Sequence, residues 1–350
     1  MTSHRDRGYD ERTVTVPTAD GRVCNVINVR GNTWPTRLPV LLVHGAGVRA
    51  NIFRAPVEET LVDYLIARGH DVWLENWRAS IDFEPNEWTL DQAAVFDHPA
   101  VVRAVVEETG SPEINAVIHC QGSTSFMMSA VAGLIPQVRT IVSNAVSLHT
   151  IVPAFSRVKL STAVPAVGML TPYLNPHWGV SARGPVAKAL TALVKLSHHE
   201  CDNTVCKWVS STYGAGRPAL WCHENLNDDT HAWLKEEFAA VPISFFRQIA
   251  ECVRYGHLVS TREFSELPVD LIARRPQTDA RFSFFAGELN RCFLPESQRR
   301  TFAHFDALRR GYHTLHTVAN YGHLDVFMGR NAARDVFPLM AHELEQPLPM

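Results

Sequence analysis

The 350-residue sequence has no block of like charge, and its 33 Lys and Arg against 36 Asp and Glu leave a formal charge of −3. That balance gives no electrostatic footprint for nucleic acid or an anionic membrane surface. Nowhere do about 18 uncharged apolar residues run together, so no membrane span is expected. The first twelve residues are polar and charged, without the apolar stretch of a secretory leader, which points to a cytoplasmic protein. The seven cysteines (24, 120, 201, 206, 222, 252 and 292) are odd in number and scattered, which suits a reducing compartment better than a disulfide framework. Cys201, Cys206, Cys222 and His223 are zinc-type ligands. The four-residue gap between the first two, and the lack of a second paired knuckle, argue against a metal site. No metal and no cofactor is expected.

The chain does have ample apolar content, 46% of its residues, enough for a large core as one enlarged domain or a core plus an insertion. The most informative stretch is Ala116-Val117-Ile118-His119-Cys120-Gln121-Gly122-Ser123-Thr124. A buried strand ends at Ile118, a tight turn follows, and Ser123 to Val131 read as a helix closed by Gly133. A side chain held up on a sharp strand-to-helix turn is a nucleophile elbow, usually G-x-S-x-G. Here Ile118 replaces the first glycine and Cys120 the serine.

Taken in order, 12–17 and 22–29 alternate as a hairpin around Thr18-Ala19-Asp20-Gly21. Pro39 to Val43 is an apolar strand entering His44-Gly45-Ala46-Gly47, a Gly-rich turn of the kind that supplies an oxyanion donor. A helix is predicted over 52–68, a strand over 71–77, a long helix over 89–109 and a strand over 137–146. This alternation implies a parallel sheet with right-handed crossovers. From 147 to 256 the alternation fails. That insertion is rich in Pro, aromatics and helical apolar spacing, and is read as a cap over an apolar pocket, with 1–146 and 257–350 forming the core. Alternation returns with a strand over 281–286, a helix from Pro295, a strand at 315–318 and a helix over 332–344.

Strand-loop-helix order puts Cys120, Asn290 and His323 at the carboxyl ends of successive strands, the chain order of nucleophile, orienting residue and histidine in α/β-hydrolases. Leu41-Leu42-Val43-His44-Gly45, Asp71-Val72-Trp73-Leu74, Phe96-Asp97-His98-Pro99-Ala100, the elbow and His323-Leu324-Asp325 together resemble the acid (gastric and lysosomal type) lipases of that superfamily. The chain is also similar to the hydrolase-type domains found alongside cholesterol-oxidase-like flavoproteins. The resemblance covers 38–145 and 280–345 and implies an α/β-hydrolase fold: a mostly parallel sheet, helices on both faces and a helical cap.

The chain departs from the lipase pattern twice, with Cys120 for serine and, in Gly287-Glu288-Leu289-Asn290, Asn290 for aspartate. A thiol with a reference pKa of about 8.5 ionises far more readily than a hydroxyl, so a neutral amide that fixes the imidazole tautomer can replace the carboxylate. The expected catalytic set is Cys120 as nucleophile, His323 as base and then acid, and Asn290, or alternatively Glu288, as its orienter. The backbone N–H groups of Gln121 and Ala46 are the expected oxyanion hole, with Gly45, Gly47, His119 and Ser123 beside the substrate. The expected substrate is a hydrophobic acyl ester, thioester or lactone, free or bound to a carrier or CoA. The Cys-bound acyl group passes to water or, alternatively, to an amine, alcohol or carbanion; a further alternative is an inactive ligand-binding relative.

Overall fold

A computed structural model describes residues 8–348. Eight strands form one sheet in the order β1-β2-β4-β3-β5-β6-β9-β10. These are β1 (Asp10–Pro17), β2 (Val23–Arg30), β3 (Val40–Val43), β4 (Val72–Asn76), β5 (Ile114–His119), β6 (Val138–Asn144), β9 (Arg281–Gly287) and β10 (Thr314–Val318). Between β6 and β9, β7 (Tyr173–Leu174) and β8 (Val241–Pro242) pair as a separate antiparallel ribbon. Only the β1–β2 and β2–β4 pairings of the main sheet are antiparallel; all the others run parallel. The central strands β3, β5 and β9 are buried along their whole length, as continuous apolar runs covered on both faces require.

The predicted alternation is therefore found, with local differences. The helix expected over 52–68 is instead a 3-10 turn at Ala50–Arg54 and a helix at Leu61–Ala67. Ala55 and Pro56 break the run, and Thr60 restarts it with a capping box to Asp63. The long helix over 89–109 carries a π-helical stretch at Ala93–Asp97 before continuing over His98–Thr109. The last helix is split into Ala332–Asp335 and Phe337–Glu345. Pro338 explains the restart, because its ring is tolerated only in a first helical turn.

The insertion is mostly helical, with its longest helices at Gly184–Ser197, Thr204–Tyr213 and Ile243–Tyr255. Gly256, in the left-handed region at φ 79°, closes the last of them. Residues 257–280 then carry only one isolated bridge, Val259 to Asp270, before β9 begins. Among the described residues no helix is long and apolar enough to cross a membrane.

Candidate active site

Strand β5 ends at His119 and the helix Cys120–Val131 begins on the next residue, three earlier than predicted. Cys120 adopts φ 54°, a conformation that costs a residue with a side chain of order 1–3 kcal/mol and marks a functional turn. The turn is possible only because two glycines leave room for it. A Cβ on Gly122 would meet the His44 carbonyl oxygen at 2.1 Å, and one on Gly45 would meet the Cys120 Cβ at 2.9 Å. The loop after β3 thus lies directly against the cysteine and brings the following Ala46 alongside. Gln121 is the second residue of its helix, so its N–H has no carbonyl partner within that helix.

His323 follows β10 and is 1% exposed. One of its ring nitrogens lies within 4.8 Å of the Cys120 sulfur, and its Nδ1 is 3.1 Å from the Asn290 Nδ2. Glu288 is exposed and accepts from the Asn320 N–H at 3.4 Å, facing away from His323. The orientation of the Asn290 amide is decided by the backbone. Its Oδ1 accepts from the N–H groups of Cys292 at 2.9 Å and Phe293 at 3.2 Å, so the NH2 end must face the imidazole. Nδ1 of His323 is consequently an acceptor, and the ring proton sits on Nε2, towards Cys120.

The sulfur has other partners. Burial pushes the Cys120 thiol up, but a hydrogen bond from the Cys292 thiol, the electrostatic attraction and hydrogen bond of the His323 ring and the Gln121 N–H outweigh it, holding Cys120 well below the ordinary thiol range. Cys292, hydrogen-bonded to Cys120 and buried, is pushed well above that range. A small cavity of about 50 Å³ reaches Cys120 and Gln121 between core and insertion, lined also by Lys159, Tyr213, Phe245, Phe246, Cys292 and Phe293. A larger apolar groove of about 610 Å³ in the insertion shares Lys159, Val164 and Thr212 with it.

Sequence reasoning missed three of these residues. Tyr213 is partly buried, and its buried hydroxyl has no hydrogen-bond partner among the described residues. A Cβ on Gly47 would meet that hydroxyl at 2.3 Å, so it sits beside the loop after β3. Lys159, pushed down to about 8 by burial, donates to the carbonyls of Ser211 and Gly214. Cys292 lies two residues beyond Asn290. No local pattern marks any of the three, because distant segments bring them to the cavity.

Two residues expected to face the substrate lie behind the site instead. His119 packs its ring 4.6 Å from that of His323 and accepts from Asn144 Nδ2 at 2.9 Å. Burial keeps it neutral by pushing its pKa well down. Ser123 donates to the Val146 carbonyl at 2.6 Å and pairs with Ser143. Both point into the core because residues on either side of the elbow nucleophile pack against neighbouring strands. A second chain of hydrogen bonds, from Ser125 through His98 to Glu75, mimics a catalytic triad at 2.7 and 2.8 Å. All three residues are 0% exposed, and Ser125 also donates to the Gln121 carbonyl. This network braces the elbow helix from below.

Strand order, elbow and histidine loop together define an α/β-hydrolase fold, and the chain resembles lipases within it. No family model matches the chain. Sterol esterase 2 of Saccharomyces cerevisiae is 26% identical over 147 residues, covering 37% of this chain and 27% of that protein. Human gastric triacylglycerol lipase is 29% identical over 135 residues, covering 33% of this chain and 34% of that protein. The matched part thus spans about a third or less of the length of these relatives. Among solved structures, an esterase from Exiguobacterium antarcticum superposes with a TM-score of 0.58 at 10% identity, over 95% of this chain and 99% of that one. A thermophilic esterase from Thermogutta terrifontis gives 0.56 at 13% identity, over 95% and 98%. At those identities the structures speak for the fold alone.

Proposed function

We propose that the protein is a cysteine-dependent acyl-transferring α/β-hydrolase that acts on a hydrophobic acyl ester, thioester or lactone through a covalent intermediate on Cys120. The observation that carries this reading is the Cys120 sulfur itself: strained onto an elbow, drawn towards the thiolate, and open to a cavity between core and insertion. The thiolate attacks the acyl carbonyl carbon and a C–S bond forms. The resulting oxyanion is held by the N–H groups of Gln121 and Ala46, with the unpartnered Tyr213 hydroxyl as a third donor from the insertion. Collapse expels the leaving group as its anion and leaves an acyl thioester on Cys120.

His323 stabilises the thiolate through Nε2–H. A neutral imidazole cannot protonate a leaving alkoxide without becoming an anion, so donors whose leaving group departs unprotonated, such as thiolates, suit this site best. The same feature favours transfer over hydrolysis. Water attacking the acyl-enzyme needs a base, and a ring held with its proton on Nε2 cannot supply one until the Asn290 contact is broken; a thiol acceptor that arrives as thiolate needs none. The catalytic set is therefore Cys120, His323 and Asn290, the last acting as a positioning residue. The apolar groove of the insertion, 147–256, takes the acyl chain. Intact-mass measurement after incubation with acyl thioesters of graded length tests this: a Cys120 acyl adduct that thiols discharge faster than water is expected. Absence of any adduct across the panel, with wild-type reactivity of Cys120 towards iodoacetamide, means that the fold binds without reacting.

A further inference from the structure

The insertion brings together four side chains that play no part in acyl chemistry. Cys201 and Cys206 flank the start of the helix Thr204–Tyr213, His223 opens the 3-10 turn His223–Asn225, and His231 lies in the helix Asp228–Trp233. One ligand atom from each lies within 4.8 Å of all the others. We propose that Cys201, Cys206, His223 and His231 bind one zinc ion.

The geometry is that of a tetrahedral site slightly expanded. With Zn–S near 2.3 Å and Zn–N near 2.0–2.1 Å, the edges of a Cys2His2 tetrahedron are about 3.3–3.8 Å. The Cys206 Sγ to His223 Nε2 distance, 3.4 Å, is already an edge length. The other pairs need only side-chain movements of about an ångström to reach it. The two rings meet nearly at right angles, 88°, with centroids 5.0 Å apart, which lets a nitrogen from each converge without ring overlap. His231 Nε2 is buried and has no hydrogen-bond partner among the described residues. An unpaired buried polar atom carries a desolvation cost that a metal bond removes.

The scaffold around the four is preorganised. Asn203, between the two cysteines, accepts from the N–H groups of Val205 and Cys206 and donates to the His231 carbonyl at 2.6 Å, locking the first ligand pair to the last. Two thiolates balance the charge of a divalent ion, and thiolate with imidazole is a donor set that suits zinc. Four protein ligands leave no open position, so the ion is structural. Spacing along the chain argued against this site because the ligands come from three segments and do not form two knuckles. Cys222 is not a ligand: its sulfur is not among the four converging atoms.

The site lies one step from the active histidine. The Leu220 carbonyl accepts from the N–H groups of His323 at 3.0 Å and Leu324 at 2.8 Å. Asp325 in turn accepts from the Cys222 N–H at 3.2 Å and from Asn225 at 2.7 Å. A metal at His223 therefore stiffens the segment, 220–225, on which the His323 loop rests.

The test is metal analysis of the tag-free full-length chain, purified without chelator, kept reduced and dialysed against zinc followed by buffer. One zinc per chain is expected, with X-ray absorption fitting two sulfur and two nitrogen neighbours. Cys206→Ser and His231→Asn should each lose the metal, whereas Cys222→Ser should keep it. If a variant does not fold, the wild type alone decides through its metal count, its coordination shell and a drop in Tm on chelation. A reduced wild type that holds no zinc overturns the proposal. A shell without two sulfurs, or zinc lost in Cys222→Ser and kept in His231→Asn, overturns the ligand set.

Discussion

Replacing Asn290 with aspartate is the most direct test of how the imidazole works. In the wild type the amide oxygen is taken by the N–H groups of Cys292 and Phe293, so only NH2 is left for His323 Nδ1 at 3.1 Å. An aspartate can keep one oxygen on those two N–H groups and turn the other to Nδ1. The ring must then carry its proton on Nδ1, and Nε2 becomes free to act as a base. At 3.1 Å and an effective dielectric constant of 20, a carboxylate attracts an imidazolium by about 5 kcal/mol. Desolvation of the buried carboxylate offsets most of that, leaving a net preference for the protonated ring. A general base works as the free imidazole, so favouring the protonated ring moves the acidic limb of acyl-enzyme hydrolysis to higher pH.

The stronger signature is in the fate of the acyl-enzyme. A newly available base should speed attack by water about 100-fold, the lower end of the usual range for general-base catalysis. The ratio of hydrolysis to thiol transfer should rise with it, measured by quenching the preformed acyl-enzyme into buffer with and without a thiol acceptor. Nitrogen-15 NMR of the ring gives an independent reading, with Nδ1 unprotonated in the wild type and protonated in Asn290→Asp. An unchanged partition ratio, or a wild-type ring already protonated at Nδ1, refutes the reasoning.

Further outcomes follow from the same geometry. Because its pKa is depressed, Cys120 should keep its thiolate, and with it its alkylation rate, to lower pH than an ordinary thiol; Cys120→Ala should abolish the acyl adduct. Tyr213→Phe should lower kcat about 100- to 1,000-fold with little change in the iodoacetamide reactivity of Cys120, as loss of an oxyanion donor does; an unaltered kcat removes Tyr213 from the site. Lys159→Met should shift chain-length preference in kcat/KM towards longer acyl groups, because Lys159 stands between the two cavities. Burial opposes the ionisation of Glu343, but His316 and Arg281 outweigh it and hold its pKa at about 2. That stability is present above the unfolded carboxylate range and is lost as pH falls from about 4.5 towards 2, so Glu343→Gln should flatten acid unfolding there and cost roughly 1–2 kcal/mol at neutral pH.

What was legible in the sequence was local. The elbow could be read because strand, turn and helix are contiguous, and Thr60 and Asp63 already formed a capping pair that a closer reading would have used to divide 52–68. Asn290 could be found by its spacing, but its effect on His323 could not. Which end of an amide faces a ring is settled by the next two backbone N–H groups, and a sequence does not show where those point. His119 and Ser123 lie near Cys120 in the sequence, but alternation along a strand and the pitch of a helix turn them into the core. Tyr213, Lys159, Cys292 and His231 reach their positions through tertiary packing of the insertion, where periodicity carries no register.

The space around the sulfur bears on the substrate as much as the chemistry does. The cavity at Cys120 is small, about 50 Å³. The apolar groove beyond it is an order of magnitude larger, and Lys159, Val164 and Thr212 are common to both. Lys159 is the stiffest part of that wall: its ammonium is tied to the carbonyls of Ser211 and Gly214, next to the helix that carries Tyr213. On the proposed function, an acyl chain that fills the groove lies against Lys159, beside the helix that holds the Tyr213 hydroxyl near Gly47. Chain length and oxyanion stabilisation would then meet at one element of the insertion. Through this coupling an apolar tail far from the carbonyl can act on kcat and not only on binding.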